Sequence, residues 1–398
     1  MQSSNGRDAS TLSEKLSELP QPQTQPSIYK VHNHLRDVNS KAYEPDIIAI
    51  GPYHRHKDNL KMMEEHKLRY LQLLLKQPVS LSPPKFVEML VLDGCFIIEL
   101  IRKRQKNDPT CKNDPIFQMG WIMNSLQRDI VLFENQIPFV VLCKLFDLIE
   151  GPNRHDTLIH RLMLFCQNLY PGGRVEYKTE RSPQEIKHVL DLVHGNWIPS
   201  LKEVYVKVDE VSRTREWLFI HSATELTNAN VAFEKRKCDD FFNVEFDDGV
   251  MLMPPLTIED RTECFFRNLI AYEQYFPNTT QPDFVTDYVT LLDSLINSSR
   301  DVEILSEYGI IDNWLGDNEV VADMFNQLTL SITGPGEHFL YTQVFDRVNS
   351  HYKKRWNRAM ATLRRDYFNS PWAYLSFFAA LLALLLTVAQ TIISALQF

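Results

Sequence analysis

Residues 128–150 read RDIVLFENQIPFVVLCKLFDLIE and form the densest apolar run outside the C-terminal segment. Such a run indicates burial in the core of a helical body. Three polar side chains, Glu134, Asn135 and Gln136, interrupt it shortly before Pro138. An unpaired buried polar group costs about 1–3 kcal/mol. Because a proline breaks a helix and frees nearby backbone carbonyls, we expect the Asn135 and Gln136 amides to donate to those carbonyls.

The preceding apolar segment, FVEMLVLDGCFIIELI at 86–101, predicts a central buried helix. Its two carboxylates, Asp93 and Glu99, are candidate neighbours of Glu134 in a structural polar network. Carboxylates in an apolar setting are also the groups that general acid–base catalysis uses. We favour the structural network and keep the catalytic pair as the alternative.

A change of periodicity marks a small antiparallel sheet in the second half of the chain. Apolar and polar residues alternate over 242–246, Asp-Asp-Gly at 247–249 forms a turn, and VMLMPPL at 250–256 follows. This pattern predicts a β-hairpin with a positive φ at Gly249, and NVAFEK at 230–235 adds a third strand. The other periodic segments are helical. The predicted fold class is therefore mainly α, a helical globular body with a small antiparallel hairpin or sheet.

The chain divides into three predicted parts. Residues 1–27 are rich in serine, glutamine and proline, which is typical of a disordered tail. Residues 28–369 form the mainly helical domain, with a possible sub-boundary near 172–182 or 208–216 where polar residues and chain breakers cluster. Residues 371–396 form the third part.

This third part is an apolar segment, PWAYLSFFAALLALLLTVAQTIISALQF at 371–398, without a charged residue. As a helix, Trp372 to Leu396 would extend roughly 37 Å, which exceeds the bilayer hydrocarbon core of about 30 Å. Pro371 suits a first helical turn, and Trp372 and Tyr374 lie where interfacial aromatic residues are common. The segment predicts a single transmembrane helix, with a buried core helix as the alternative.

Basic residues lie on one side of this segment only. None follows it, and those before it are Lys353, Lys354, Arg355, Arg358, Arg364 and Arg365. Basic residues prefer the cytoplasmic side and attract anionic lipids, so we expect a cytoplasmic body, with the plasma membrane as the expected location. The N-terminus has no apolar signal region. We expect the two glycosylation sequons, at Asn278 and Asn297, to stay unmodified.

Charge and motif content exclude several function classes. The net charge is −9 and the basic residues form no long stripe, which argues against nucleic-acid binding. The six cysteines show neither CxxC nor zinc-type spacing, and Walker, GxGxxG, GxSxG and HExxH motifs are absent. His54 and His56 are interpreted as part of a solvated turn in preference to a metal site. We expect no metal and no cofactor; the expected partners are the lipid bilayer and a protein.

A series of segments in a fixed order carries a family resemblance. They are AYEPDIIAIGPYH at 42–54, LDGCFIIEL at 92–100, RDIVLFENQIPFVVL at 128–142, HSATELTNANVAF at 221–233 and VMLMPPLTIEDRTECFFRNLIAYEQ at 250–274. In this order they resemble the plant family called Domain of Unknown Function 247, over nearly the whole chain after residue 27. The resemblance implies a C-terminal membrane span and no established enzymatic activity. In grasses, some members resemble the pollen-side specificity determinants of self-incompatibility.

Two function classes remain open. The first is a membrane-anchored recognition or signalling protein, with pollen-side self-incompatibility specificity as its narrowest form. The alternative is a membrane-associated enzyme that uses the buried carboxylates. The absence of catalytic motifs favours the first class, and the partner is not identified by the sequence.

Overall fold

The structure is a computed structural model of the 398-residue chain. It describes residues 28–74, 85–106, 114–173, 181–198, 219–236, 240–277, 282–330, 332, 339–354, 362, 365 and 371–396. The predicted disordered tail at 1–27, the possible sub-boundary at 208–216 and most of that at 172–182 lie outside these ranges. So do three of the basic residues expected beside a membrane, Arg355, Arg358 and Arg364.

Helices dominate the described residues, as the sequence predicts. In chain order they are α1 (Asn33–Arg36), α2 (Lys61–Leu74), α3 (Lys85–Lys106), α4 (Pro115–Gln118), α5 (Gly120–Ile130), α6 (Phe139–Glu150), α7 (His155–Cys166), α8 (Val189–Trp197), α9 (Ala223–Asn228), α10 (Thr262–Tyr275), α11 (Phe284–Leu295), α12 (Ser299–Glu307), α13 (Asn318–Leu328), α14 (Thr342–Lys353) and α15 (Pro371–Leu396). Short 3₁₀ helices occupy Ser40–Tyr43, Asp58–Leu60 and Gln167–Leu169. The prediction of a mainly α body is confirmed.

Two helices form the centre of the core. In α3, every residue from Leu92 to Ile101 is buried, which agrees with its prediction as a central helix. In α10, the run from Cys264 to Glu273 is buried as well. Polar residues on α10 therefore need partners inside the protein, because water cannot reach them.

The strands form a mixed sheet, which corrects the prediction of a purely antiparallel one. Strands β2 (Glu245–Asp247) and β3 (Val250–Met253) form the expected antiparallel hairpin. Strand β1 (Ala232–Lys235) pairs with the other edge of β3, but in parallel. Strand β3 lies between β1 and β2 and runs antiparallel to β2. Strand β1 runs in the direction opposite to β2, so its pairing with β3 is parallel.

The hairpin turn has the conformation that its sequence predicts. Asp248 and Gly249 both have positive φ, +43° and +84°. Two central residues with positive φ define a type I′ turn, whose twist matches that of the flanking strands. A second sheet, which the sequence analysis missed, pairs β4 (Leu256–Ile258) in parallel with β5 (Ile311–Asn313).

The C-terminal helix α15 lies apart from the core. Its side chains are described from 375 to 390, and each of them is exposed. Within the described part of the chain, no helix combines the length and the apolar character that a membrane crossing requires. The predicted transmembrane helix is therefore a helix in the structure, but its role as a membrane span is not supported.

Candidate functional site

The N-terminal segment at 31–51, here called the strap, lies across the loop at 131–138, here called the ENQ loop, which joins α5 to α6. The strap has little regular structure, so its backbone N–H groups need acceptors from elsewhere. Asp129 at the end of α5 supplies three of them. Its carboxylate accepts from the backbone N–H groups of Asp46 at 2.9 Å, Ile47 at 2.9 Å and Ile48 at 3.1 Å. Asp129 is fully buried, so these hydrogen bonds lie out of reach of water.

Asn135 connects the strap to the loop in both directions. Its side-chain oxygen accepts from the Ile50 N–H at 2.6 Å. Its amide donates to the carbonyls of Ile48 at 3.0 Å and Asp129 at 2.9 Å. The first carbonyl belongs to the strap and the second to the end of α5, so this one side chain holds two segments together.

Gln136 supports the same loop from the other side. Its amide donates to the Ile130 carbonyl at 2.7 Å and the Leu132 carbonyl at 2.8 Å. Its oxygen accepts from the Leu190 N–H in α8 at 3.2 Å. The chain is non-helical between Ile130 and Phe139, so the amides of residues 135 and 136 bond backbone groups that no helix satisfies.

Glu134 is the third member of the motif and holds the beginning of the strap. Its carboxylate accepts from the Val31 N–H at 2.8 Å and forms an ion pair with Arg36. His54 lies on the same carboxylate, with Nε2 3.2 Å from Oε2. Burial raises the pKa of Glu134, but the hydrogen bonds from His54 and Arg36 outweigh burial and lower it overall. The group is therefore a carboxylate at neutral pH.

Asp93 and Glu99, both on α3, have separate environments. Asp93 forms a fully buried ion pair with Lys67 at 2.6 Å and accepts from the Gly51 N–H at 2.9 Å. Lys67 also donates to the Ala49 carbonyl at 2.5 Å, so the pair holds the end of the strap. Glu99 instead binds Arg102 on its own helix, at 2.7 Å. The predicted neighbours of Glu134 thus divide, because only Asp93 faces the strap.

Gly51 shows why the strap fits so closely. Its φ is +75°, a conformation that favours glycine. A Cβ atom at this position would collide with the Gln136 carbonyl oxygen. Gly51 is therefore a contact point between the strap and the ENQ loop.

Sequence reasoning missed several partners of these carboxylates. His54 was interpreted as part of a solvated turn, and that is wrong, because only 3% of it is exposed and it lies on Glu134. His56 is exposed, as expected. Lys67 is buried although its surroundings in the sequence are charged. These partners are distant in sequence from the carboxylates, and no local pattern marks them as buried. Asp129 differs, because the apolar residues beside it in the sequence indicate that it is buried.

An open cleft of about 510 Å³ lies beside the start of the strap. Its lining residues are His32, His34, Leu35, Gln274, Tyr275 and Pro277. The Tyr275 hydroxyl accepts from the His32 N–H at 2.7 Å and donates to the Lys30 carbonyl at 2.9 Å. This lining includes no serine, cysteine or carboxylate that could act as a nucleophile or a general base with the histidines. Across the described ranges, no three histidine, cysteine or acidic side chains converge as a metal site would require.

Comparison with known proteins identifies the family. The family model described as "Plant protein of unknown function", DUF247, matches residues 28–82 and 77–386. The chain belongs to this family. UPF0481 protein At3g47200 of Arabidopsis thaliana is 28% identical over 417 aligned positions, covering 93% of this chain and 86% of the relative. Putative UPF0481 protein At3g02645 of the same plant is 24% identical over 481 positions, covering 92% and 89%. No solved structure matches the chain.

The family match agrees with the geometry of the strap. Its two matched ranges include the strap and the ENQ loop, so the two segments that bond each other both belong to the family domain.

Proposed function

We propose that this DUF247 protein is a membrane-attached, non-enzymatic protein that binds a protein partner through its helical body. The observation that carries the membrane part is the surface of α15. Large apolar side chains there are exposed by 41–66%, among them Leu375, Phe378, Leu381 and Leu386. A continuous exposed apolar surface needs a covering, and its composition on all sides of the helix suits lipid.

The non-enzymatic part of the proposal rests on how the carboxylates are used. Asp129 accepts three backbone hydrogen bonds, Asp93 pairs with Lys67, and Glu134 pairs with Arg36 and His54. All three are at most 1% exposed. A general acid or base must reach its substrate within hydrogen-bonding distance, directly or through one water molecule. These carboxylates instead hold the strap.

The expected orientation of the protein remains part of the proposal. The basic residues that precede α15 favour a cytoplasmic body, with the plasma membrane as the expected site. Pollen-side self-incompatibility specificity is the narrowest form of the proposal. Co-purification of partners from pollen membranes and from vegetative membranes would distinguish this narrow form from a general signalling role.

The anchor is tested by placing charge in α15 of the full chain. Leu384→Arg together with Leu385→Arg puts two guanidinium groups near the middle of the apolar surface of α15, where charged side chains oppose contact with lipid. We expect this variant to be extracted from membranes by an alkaline wash, whereas the wild type should pellet. The matched control is Ser376→Arg, because an arginine near the helix end can extend to the interface.

The anchor is contradicted if the wild-type protein appears in the supernatant after the wash. It is also contradicted if the double arginine variant pellets as completely as the wild type. Deletion of residues 371–398 provides the second test, and the remaining chain should no longer pellet with membranes.

A further inference from the structure

An exposed tryptophan, Trp314, stands at the end of β5 and is 70% exposed. The ring does not belong to a flexible end. Its backbone N–H donates to the Ile258 carbonyl of β4 at 2.9 Å, and its indole Nε1–H donates to the Asp312 carboxylate at 2.8 Å. Both the backbone and the ring are therefore fixed while most of the aromatic surface faces solvent.

The loop after Trp314 is held by side chains as well. Asn313 accepts from the Leu315 N–H at 2.9 Å and the Gly316 N–H at 3.2 Å, and it donates to Asn318 at 2.8 Å. Asp317 caps α13 by accepting from the Glu319 N–H at 2.8 Å. Because the loop is already ordered, binding through Trp314 would lose little conformational entropy.

Acidic residues dominate the chain on both sides of this tryptophan. Three exposed carboxylates lie within five residues of it in the chain: Asp312, Asp317 and Glu319. No lysine or arginine occurs between Arg300 and Arg347. Arg261, which follows β4, forms an ion pair with Glu259 at 2.7 Å. An anionic lipid surface would be repelled here, whereas a cationic group would be attracted both to the carboxylates and to the indole face.

We propose that Trp314 and its three carboxylates form the docking surface for a lysine- or arginine-bearing segment of a protein partner. One cationic side chain would lie over the indole face while its neighbours pair with Asp312, Asp317 or Glu319. The indole is the aromatic ring that binds cations best, and tryptophan is enriched at the energetic centres of protein interfaces. The inference deepens the proposed function, since it names a surface and a partner chemistry for the recognition role.

The test uses the full-length chain in detergent micelles and a fluorescein-labelled peptide of alternating arginine and glycine. We expect the peptide to bind, with an affinity that falls as salt is added, and Trp314→Ala to weaken binding about tenfold. Trp121→Ala is the matched control. Trp121 is 56% exposed on α5, and residues 115–128 around it contain no acidic residue. We expect this control to bind the peptide as the wild type does.

Further variants separate the ring from the charge. Trp314→Phe should recover part of the affinity, since phenylalanine keeps an aromatic face, and Asp317→Asn should reduce the salt dependence. The proposal is overturned if the arginine peptide does not bind, or if a glutamate–glycine peptide binds with the same affinity. It is also overturned if Trp121→Ala weakens binding as much as Trp314→Ala. None of these readouts depends on α15, so failure of the membrane anchor would leave the result of this test unchanged.

Discussion

Replacement of Asn135 by leucine tests the role of the ENQ loop directly. Leucine has the same branching at Cγ as asparagine, so the substitution fills the site with a side chain that cannot hydrogen-bond. Three backbone groups then lose their side-chain partner: the Ile50 N–H and the carbonyls of Ile48 and Asp129. All three residues are buried, so water does not replace the lost bonds.

The size of the effect follows from those three groups. At about 1–3 kcal/mol for each unpaired buried group, three such groups would lower the free energy of unfolding by roughly 3–9 kcal/mol at most. The Asp129 carbonyl keeps one partner, the Leu132 N–H at 3.3 Å, which lowers the expected loss. We expect Asn135→Leu to reduce the free energy of unfolding by about 3–5 kcal/mol. A whole domain has only about 5–15 kcal/mol, so the variant should be close to unfolding.

The assay is urea unfolding, followed by tryptophan fluorescence and far-ultraviolet circular dichroism. The matched control is Asn59→Leu, the same substitution at an exposed position of the 3₁₀ helix at 58–60, where a change within about 0.5 kcal/mol is expected. Asn135→Asp keeps the acceptor for Ile50 but places a buried carboxylate oxygen against the Ile48 and Asp129 carbonyls, so at neutral pH it should lose at least as much stability as Asn135→Leu. A free energy of unfolding for Asn135→Leu equal to that of Asn59→Leu would refute the reasoning.

Three further predictions concern the hairpin, a buried carboxyl and the orientation of the body. Gly249→Val should lower the melting temperature by the equivalent of about 1–3 kcal/mol, since its φ of +84° strains a β-branched residue and a Cβ would lie 3.0 Å from the His351 ring; an unchanged melting temperature would contradict this. Burial raises the pKa of Asp287 well above its usual value, against a smaller opposing effect of the Leu340 N–H bond. The wild type therefore loses stability as pH rises through the folded-state pKa of Asp287. Between pH 5 and pH 8, the melting temperature of Asp287→Asn should rise relative to that of the wild type; a fall relative to the wild type over that range would contradict the prediction. Glycosidase treatment of the protein made in plant cells should leave its gel mobility unchanged; a shift removed by Asn297→Gln would reverse the proposed orientation.

Local patterns determined much of this protein. The apolar periods of α3 and α6 predicted buried helices, and Asp-Asp-Gly predicted a turn with positive φ, because both features depend on residues close together in sequence. The polar side chains at 134–136 were expected to have internal partners on the same ground. The residues on both sides of them are apolar, which indicates a buried segment in which polar groups need partners from the protein.

Only the tertiary structure shows which residues are the hydrogen-bonding partners of these side chains. Val31, Arg36 and Ile50 lie about a hundred positions from the ENQ loop, and nothing in their immediate neighbourhoods distinguishes them from solvated residues. His54 illustrates the point, since a polar turn in the sequence lies buried against the Glu134 carboxylate in the structure. The direction of β1 has the same origin, because it depends on the position of β3 between β1 and β2 in the sheet and not on the strand residues. Periodicity reports whether a side chain is buried, whereas its partners are set by the path of the whole chain.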